Sequence, residues 1–198
     1  MNIKKYKQYI NITNIIIVIN VILFILTYLL TSLPVSQFLL EKGGIYMPDI
    51  VDKHRYYQLI THMFLHANTS HLIGNMISLY LIGNEIEKNI GKILYSIVYF
   101  GTGIFAAIFS GYVEAEFFSP SISVGASGAI FGLMGFLAVM KVIDHKKSDK
   151  APQRLLAGIV ILMAVYSMEP GVNWLAHLGG AIAGIILALL LYFPKKEK

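Results

Sequence analysis

Long apolar runs alternate with short charged segments along this chain. With His counted as neutral, the uncharged stretches cover residues 8–40, 56–84, 93–113, 117–140, 155–168 and 170–194. About 20 mostly apolar residues cross a bilayer as a helix, and every run except 155–168 is that long. The short run gains a first turn from Pro152, where a missing N–H costs nothing, and Gln153 and Arg154 can reach the headgroups. The pattern therefore predicts six helices, near residues 12–33, 70–87, 93–113, 126–142, 152–168 and 173–193. They form one all-α membrane domain over 1–198, without an internal repeat. The first run follows Lys4, Lys5 and Lys7 but far exceeds a signal-peptide core and has no small-residue cleavage site, so it is expected to be a retained span. Two outer segments, about 41–68 and 114–125, carry apolar residues such as Tyr46, Met47, Phe117 and Phe118 that suit the membrane interface. Pro120 and Gly125 argue against a wholly helical second segment.

Composition narrows the class. Of 198 residues, 56% are hydrophobic and 14% charged, with a mean hydropathy of +0.66. Soluble domains carry about 25% charged residues, so a disordered chain, a basic nucleic-acid-binding domain and an ordinary soluble enzyme are excluded. The absence of Cys removes disulfides, thiolate nucleophiles and Cys-based metal sites. The net charge of +5 follows topology. Thirteen of the 16 Lys and Arg fall at the N-terminus, in the turn with Lys88 and Lys92, in the 141–154 loop, and in the C-terminal tail. Lys42, Lys53 and Arg55 fall on the opposite side. Both termini are thus expected in the cytoplasm.

Polar groups inside spans are costly and so become functional candidates. The second span carries His71 and Asn75, four residues apart and on one helical face. The fourth opens with Gly125-Ala126-Ser127-Gly128, and the sixth carries His177 behind Asn173. These three spans all run inward, so His71, Ser127 and His177 each lie within about a turn of the outer start of their helix, at about 1.5 Å per residue. Gly128 with Gly132 and Gly180 with Gly184 are G-x-x-x-G pairs, which let membrane helices approach closely. Packing through those faces would set Ser127 beside His177, the minimal activated nucleophile. The unpaired N–H of Ser127, with donors from His71 and Asn75, would supply an oxyanion hole. No carboxylate is placed to orient the imidazole, which implies a dyad held by packing. A membrane serine taken alone is more often a packing residue bonded to a carbonyl, and G-x-x-x-G is common in apolar helices. The case rests on joint placement. His62 and His66 are read as interfacial or structural, and His54 and His145 as solvated.

These motifs resemble those of the rhomboid intramembrane serine proteases. The nucleophile pattern G-x-S-G with a following aromatic corresponds to Gly125–Phe131, H-x-x-x-N to His71 and Asn75, and A-H-x-x-G to Ala176, His177 and Gly180. The stretch from Arg55 to His66 is similar to the family's first outer loop, and Gly83, Glu87 and Gly91 to its G-x-x-x-E-x-x-x-G turn. The resemblance covers about residues 55–190. It implies a six-helix rhomboid-like bundle with Ser127 as nucleophile, His177 as general base, and His71, Asn75 and the Ser127 N–H as oxyanion donors. Phe131 would pack on His177, and Gly180 would lie opposite Gly128. Arg55 and Glu87 would be structural, and the short fifth span would be the family's gate helix. It further implies transmembrane protein substrates with small residues before the cut bond, a lipid bilayer as environment, and no metal or cofactor. Nucleic acid is not an expected partner, and the sequence specifies no oligomeric state. The absence of an organelle transit segment favours a bacterial plasma membrane, with the site open to the outer side. Two alternatives remain: a non-proteolytic rhomboid-like protein that binds transmembrane clients, and a small transporter, which would need charges deep in its spans.

Overall fold

The computed structural model describes residues 11–30, 43–143 and 171–192, with isolated positions 157, 158, 161, 165, 167 and 168. Among these residues the fold is helical and contains no strand. In chain order the helices are α1 (Ile12–Leu30), α2 (Met47–Lys53), α3 (Gln58–Thr61), a 3-10 turn (His62–Phe64), α4 (Thr69–Ile90), α5 (Lys92–Phe117), α6 (Ser127–Ile143) and α7 (Trp174–Leu191). Three of them, α1, α5 and α7, are long and apolar enough to cross a membrane. The apolar α6 has 17 residues. The 22-residue α4 is diluted by Asn75, Asn84, Glu85, Glu87 and Lys88. The expected fifth span, near 152–168, lies almost wholly outside the described residues, as do the ends of the first and last.

One boundary differs from the sequence expectation. The outer segment expected from residue 114 begins as helix, because α5 continues to Phe117. The Glu114 carboxylate finds partners at the rim that make the extra turn tolerable: its Oε1 accepts from Asn173 Nδ2 at 2.6 Å and its Oε2 from Ser121 Oγ at 2.8 Å.

Helix α6 is the centre of the bundle, packed most extensively on α7 and then on α5 and α4, while α1 leans on α4. Small residues make this possible. A Cβ at Gly180 would strike the Gly128 carbonyl oxygen, and one at Gly184 would strike that of Gly132. On the other side of α6, Gly132 receives the Thr102 side chain from α5. Each helical Gly costs about 1 kcal/mol against Ala, and here the helices recover it through backbone-close packing. Ile130, Leu133, Phe136 and Met140 of α6 are fully buried against Leu79, Tyr95 and Tyr99.

The opposite end of the bundle explains Gly83, Glu87 and Gly91. Glu87 accepts from the backbone N–H of Ile12 at 2.8 Å and of Thr13 at 2.9 Å, and from Thr13 Oγ1 at 2.8 Å. A buried carboxylate thus caps the start of α1, where unpaired N–H groups and the helix dipole favour an anion. A Cβ on Gly83 would come within 2.8 Å of Thr13 and 2.7 Å of the Tyr95 hydroxyl. Gly91, at φ 82°, turns α4 directly into α5 in a backbone conformation that favours glycine. Asp49 of α2 binds Arg55 and Lys53, each at 2.7 Å. The hydrogen bond from Lys53 and the charges of both cations hold its carboxyl below the usual range against the opposing effect of burial.

Candidate active site

Two asparagine caps and one carboxylate organise the helix ends around Ser127 and His177. Asn68 caps α4, its Oδ1 accepting from the His71 N–H at 2.8 Å and from Ser70 Oγ at 2.8 Å. Asn173 caps α7, accepting from the Ala176 N–H at 3.0 Å. Its Nδ2 also donates to Ser123 Oγ at 3.2 Å, besides the Glu114 contact above. Glu114 therefore ties the end of α5, the loop entering α6 and the start of α7 together. An antiparallel bridge between Ile45 and Ser123 holds that loop to the segment just before α2. Gly125 then donates its N–H to His62 O at 2.8 Å. Its φ of 121° favours glycine, and a Cβ there would meet the His71 ring at 2.6 Å. The chain thereby enters α6 with Ser127 as its first helical residue.

Ser127 and His177 meet across the α6–α7 contact, with Ser127 Oγ and His177 Nε2 2.9 Å apart. Both are buried. Phe131, one turn after Ser127, lies flat on the His177 ring with centroids 4.2 Å apart and planes 10° from parallel. The other ring nitrogen, Nδ1, is hydrogen-bonded to the hydroxyl of Ser167. A neutral imidazole fits both contacts, with Nε2 accepting the Ser127 proton and Nδ1–H donating to Ser167. The sequence had offered only packing to hold this ring. Ser167 is the one serine of the uncharged run 155–168, a polar group within an expected span, but nothing in its spacing links it to His177.

Ser127, His177, His71, Gly128, Ala106 and Asn173 border a cavity of about 490 Å³. Asn75 does not line its wall. It lies buried behind Gly125, and its Nδ2 is 3.4 Å from where a Gly125 Cβ would stand. The same Nδ2 donates to His66 Nε2 at 2.9 Å, and the His66 ring packs edge-on to His71 with centroids 5.0 Å apart. Of the two histidines expected at the interface or in structural roles, His62 gives its Nδ1–H to Gln58 O at 2.8 Å. Burial pushes its pKa down to about 4, against that hydrogen bond. Burial, then the charge of His71, pushes His66 down to about 3. His54 is exposed, and His145 lies outside the described residues.

The arrangement pairs a hydroxyl with a neutral base inside a polar cavity, with side-chain and backbone N–H donors nearby. A family model, the Rhomboid domain, matches residues 53–193. RHOMBOID-like protein 2 of Arabidopsis thaliana is 34% identical over 160 residues, covering 80% of this chain and 49% of that protein. RHOMBOID-like protein 7 of the same plant is 32% identical, covering 83% of this chain and 52% of its own length. A Bacillus subtilis (strain 168) protein provisionally named rhomboid protease YdcA is 30% identical, covering 86% of this chain and 85% of that protein. The chain thus spans about half the length of the plant relatives and most of the bacterial one.

Proposed function

The chain belongs to the rhomboid family, and on that premise we propose that it is an intramembrane serine endopeptidase cutting membrane-spanning proteins with a Ser127–His177 dyad. The observation that carries this reading is the 2.9 Å contact between Ser127 Oγ and His177 Nε2 at the cavity. In this mechanism Ser127 Oγ attacks the scissile carbonyl carbon while His177 Nε2 takes its proton. The carbonyl π electrons move to oxygen, and the Ser127 N–H, His71 and Asn75 stabilise that oxyanion. Collapse breaks the C–N bond, and His177 returns the proton to the leaving amine. Water then attacks the acyl-serine, passes its proton to His177, and releases the carboxylate as Ser127 regains a hydrogen. Phe131 and Ser167 keep the imidazole oriented throughout, and Gly128 and Gly180 keep the two helices close enough for the contact.

The proposed architecture is a single domain over 1–198 with six spans, the fifth near 152–168. The placement of Lys and Arg supports termini in the cytoplasm and a cavity opening to the outer side of a cell membrane. Client helices would reach the cavity from the bilayer. The test is co-reconstitution in lipid vesicles with a panel of single-span proteins, with products mapped by mass spectrometry. Cleavage lost in both Ser127→Ala and His177→Ala supports the reading. Clients retained by the wild type without any cut would replace it with the client-binding alternative.

A further inference from the structure

Resting on the oxyanion reading above, we propose that His66 is a positioning residue of this site: its imidazole fixes the rotation of the Asn75 amide so that an Nδ2 hydrogen faces the oxyanion position. The argument begins from what each atom can do. Asn75 Nδ2 only donates, so His66 Nε2, 2.9 Å away, must accept. The ring proton then sits on Nδ1, a buried atom without a hydrogen-bond partner among the described residues. An orphaned buried N–H is unfavourable, and here it accompanies an acceptor nitrogen turned toward Asn75.

The amide carries two hydrogens on Nδ2. One is taken by His66. The other remains for the oxyanion, on the side of Gly125, where Nδ2 lies 3.4 Å from the place a Cβ would fill and Gly125 itself borders the cavity. Rotating the amide by half a turn would exchange nitrogen for oxygen at these positions. Oδ1 would then face a developing oxyanion, a repulsive contact, and His66 could pair with it only as the other tautomer, with Nε2–H donating. Protonated on Nδ1, His66 accepts from Nδ2 and so holds the amide in the orientation that can stabilise negative charge. Burial keeps the ring neutral, as the acceptor role requires. His66 itself is almost fully buried and does not line the cavity, so its action is through Asn75.

The experiment uses the full chain in detergent and the rate at which a small fluorophosphonate labels Ser127. Asn75→Ala should slow labelling by about 10²-fold or less, and His66→Leu should approach the same loss. The double variant should be no slower than Asn75→Ala, since residues acting through one group are non-additive. His66→Gln, which keeps a side-chain acceptor, should recover most of the rate lost in His66→Leu. The ¹⁵N shifts of His66 in the wild type should report a neutral ring protonated on Nδ1, a readout that does not depend on how any variant folds. Additive losses in the double variant, or a ring protonated on Nε2, would overturn the proposal. Failure of the underlying protease reading looks different: labelling would then persist in Ser127→Ala, or be absent from the folded wild type.

Discussion

Placing one methyl group at the α6–α7 crossing tests whether site geometry depends on backbone-close packing. In Gly180→Ala the new Cβ would collide with the Gly128 carbonyl oxygen and also lie 3.0 Å from the Gly128 carbonyl carbon and 3.3 Å from the Gly132 nitrogen. These are backbone atoms of a helix packed on several sides, so no flexible side chain can yield. The helices must part by on the order of 1 Å, a misplacement that can cost about 10²-fold in rate. Overpacking of this kind also costs about 1–3 kcal/mol of stability. The 2.9 Å Ser127–His177 contact lies on the same two helices, so rate and stability should fall together. Gly74→Ala is the matched control, because a Cβ there meets nothing within 4 Å. The assay compares fluorophosphonate labelling rates at a temperature where both variants are folded, together with their unfolding midpoints. Gly180→Ala labelling as fast as Gly74→Ala, with an unchanged midpoint, would refute the packing argument.

Further predictions concern the supports around the site. Glu87→Gln leaves only one acceptor oxygen and sets an NH2 against the Ile12 or the Thr13 donors, and should lower stability by about 1–3 kcal/mol; an unchanged unfolding midpoint would show that the α1 cap is dispensable. Ser167→Ala removes the partner of His177 Nδ1 and should slow labelling about tenfold, the worth of one hydrogen bond, with His177→Ala far slower; wild-type rates would remove Ser167 from the account. His62 and His66 are neutral when folded, at pKa values near 4 and 3 against 6.5 unperturbed. The unfolded chain gains these protons first, so their contribution is fully present above about pH 6.5 and is lost as pH falls toward 4. The loss is about 1.4 kcal/mol per pH unit for each histidine. Stability flat from pH 7.5 to 5 would contradict this.

What the sequence reveals and what it hides differ in range. Uncharged runs locate α1, α5, α6 and α7 because a bilayer selects length and apolarity directly. The G-x-x-x-G spacings in α6 and α7 are local signals, and the structure seats Gly128 against Gly180 and Gly132 against Gly184. Long-range polar pairs are hidden. Glu114, in the extra turn of α5, meets Asn173, 59 positions away. The role of Glu87 depends on Thr13, 74 positions earlier. His66 reaches Asn75 across a loop-to-helix boundary, and no periodicity links a loop residue to a helical face. Histidines near a membrane boundary read equally well as wet or buried until tertiary contacts settle it, and His62 and His66 prove buried.

The central claim is that Ser127 is activated by His177. The most direct measurement is intact and peptide mass after exposing the detergent-solubilised protein to a small fluorophosphonate, with Ser127→Ala and His177→Ala in parallel. The account predicts one adduct, on Ser127, in the wild type alone. A folded wild type with no adduct, or an adduct that persists in His177→Ala at the wild-type rate, would contradict it.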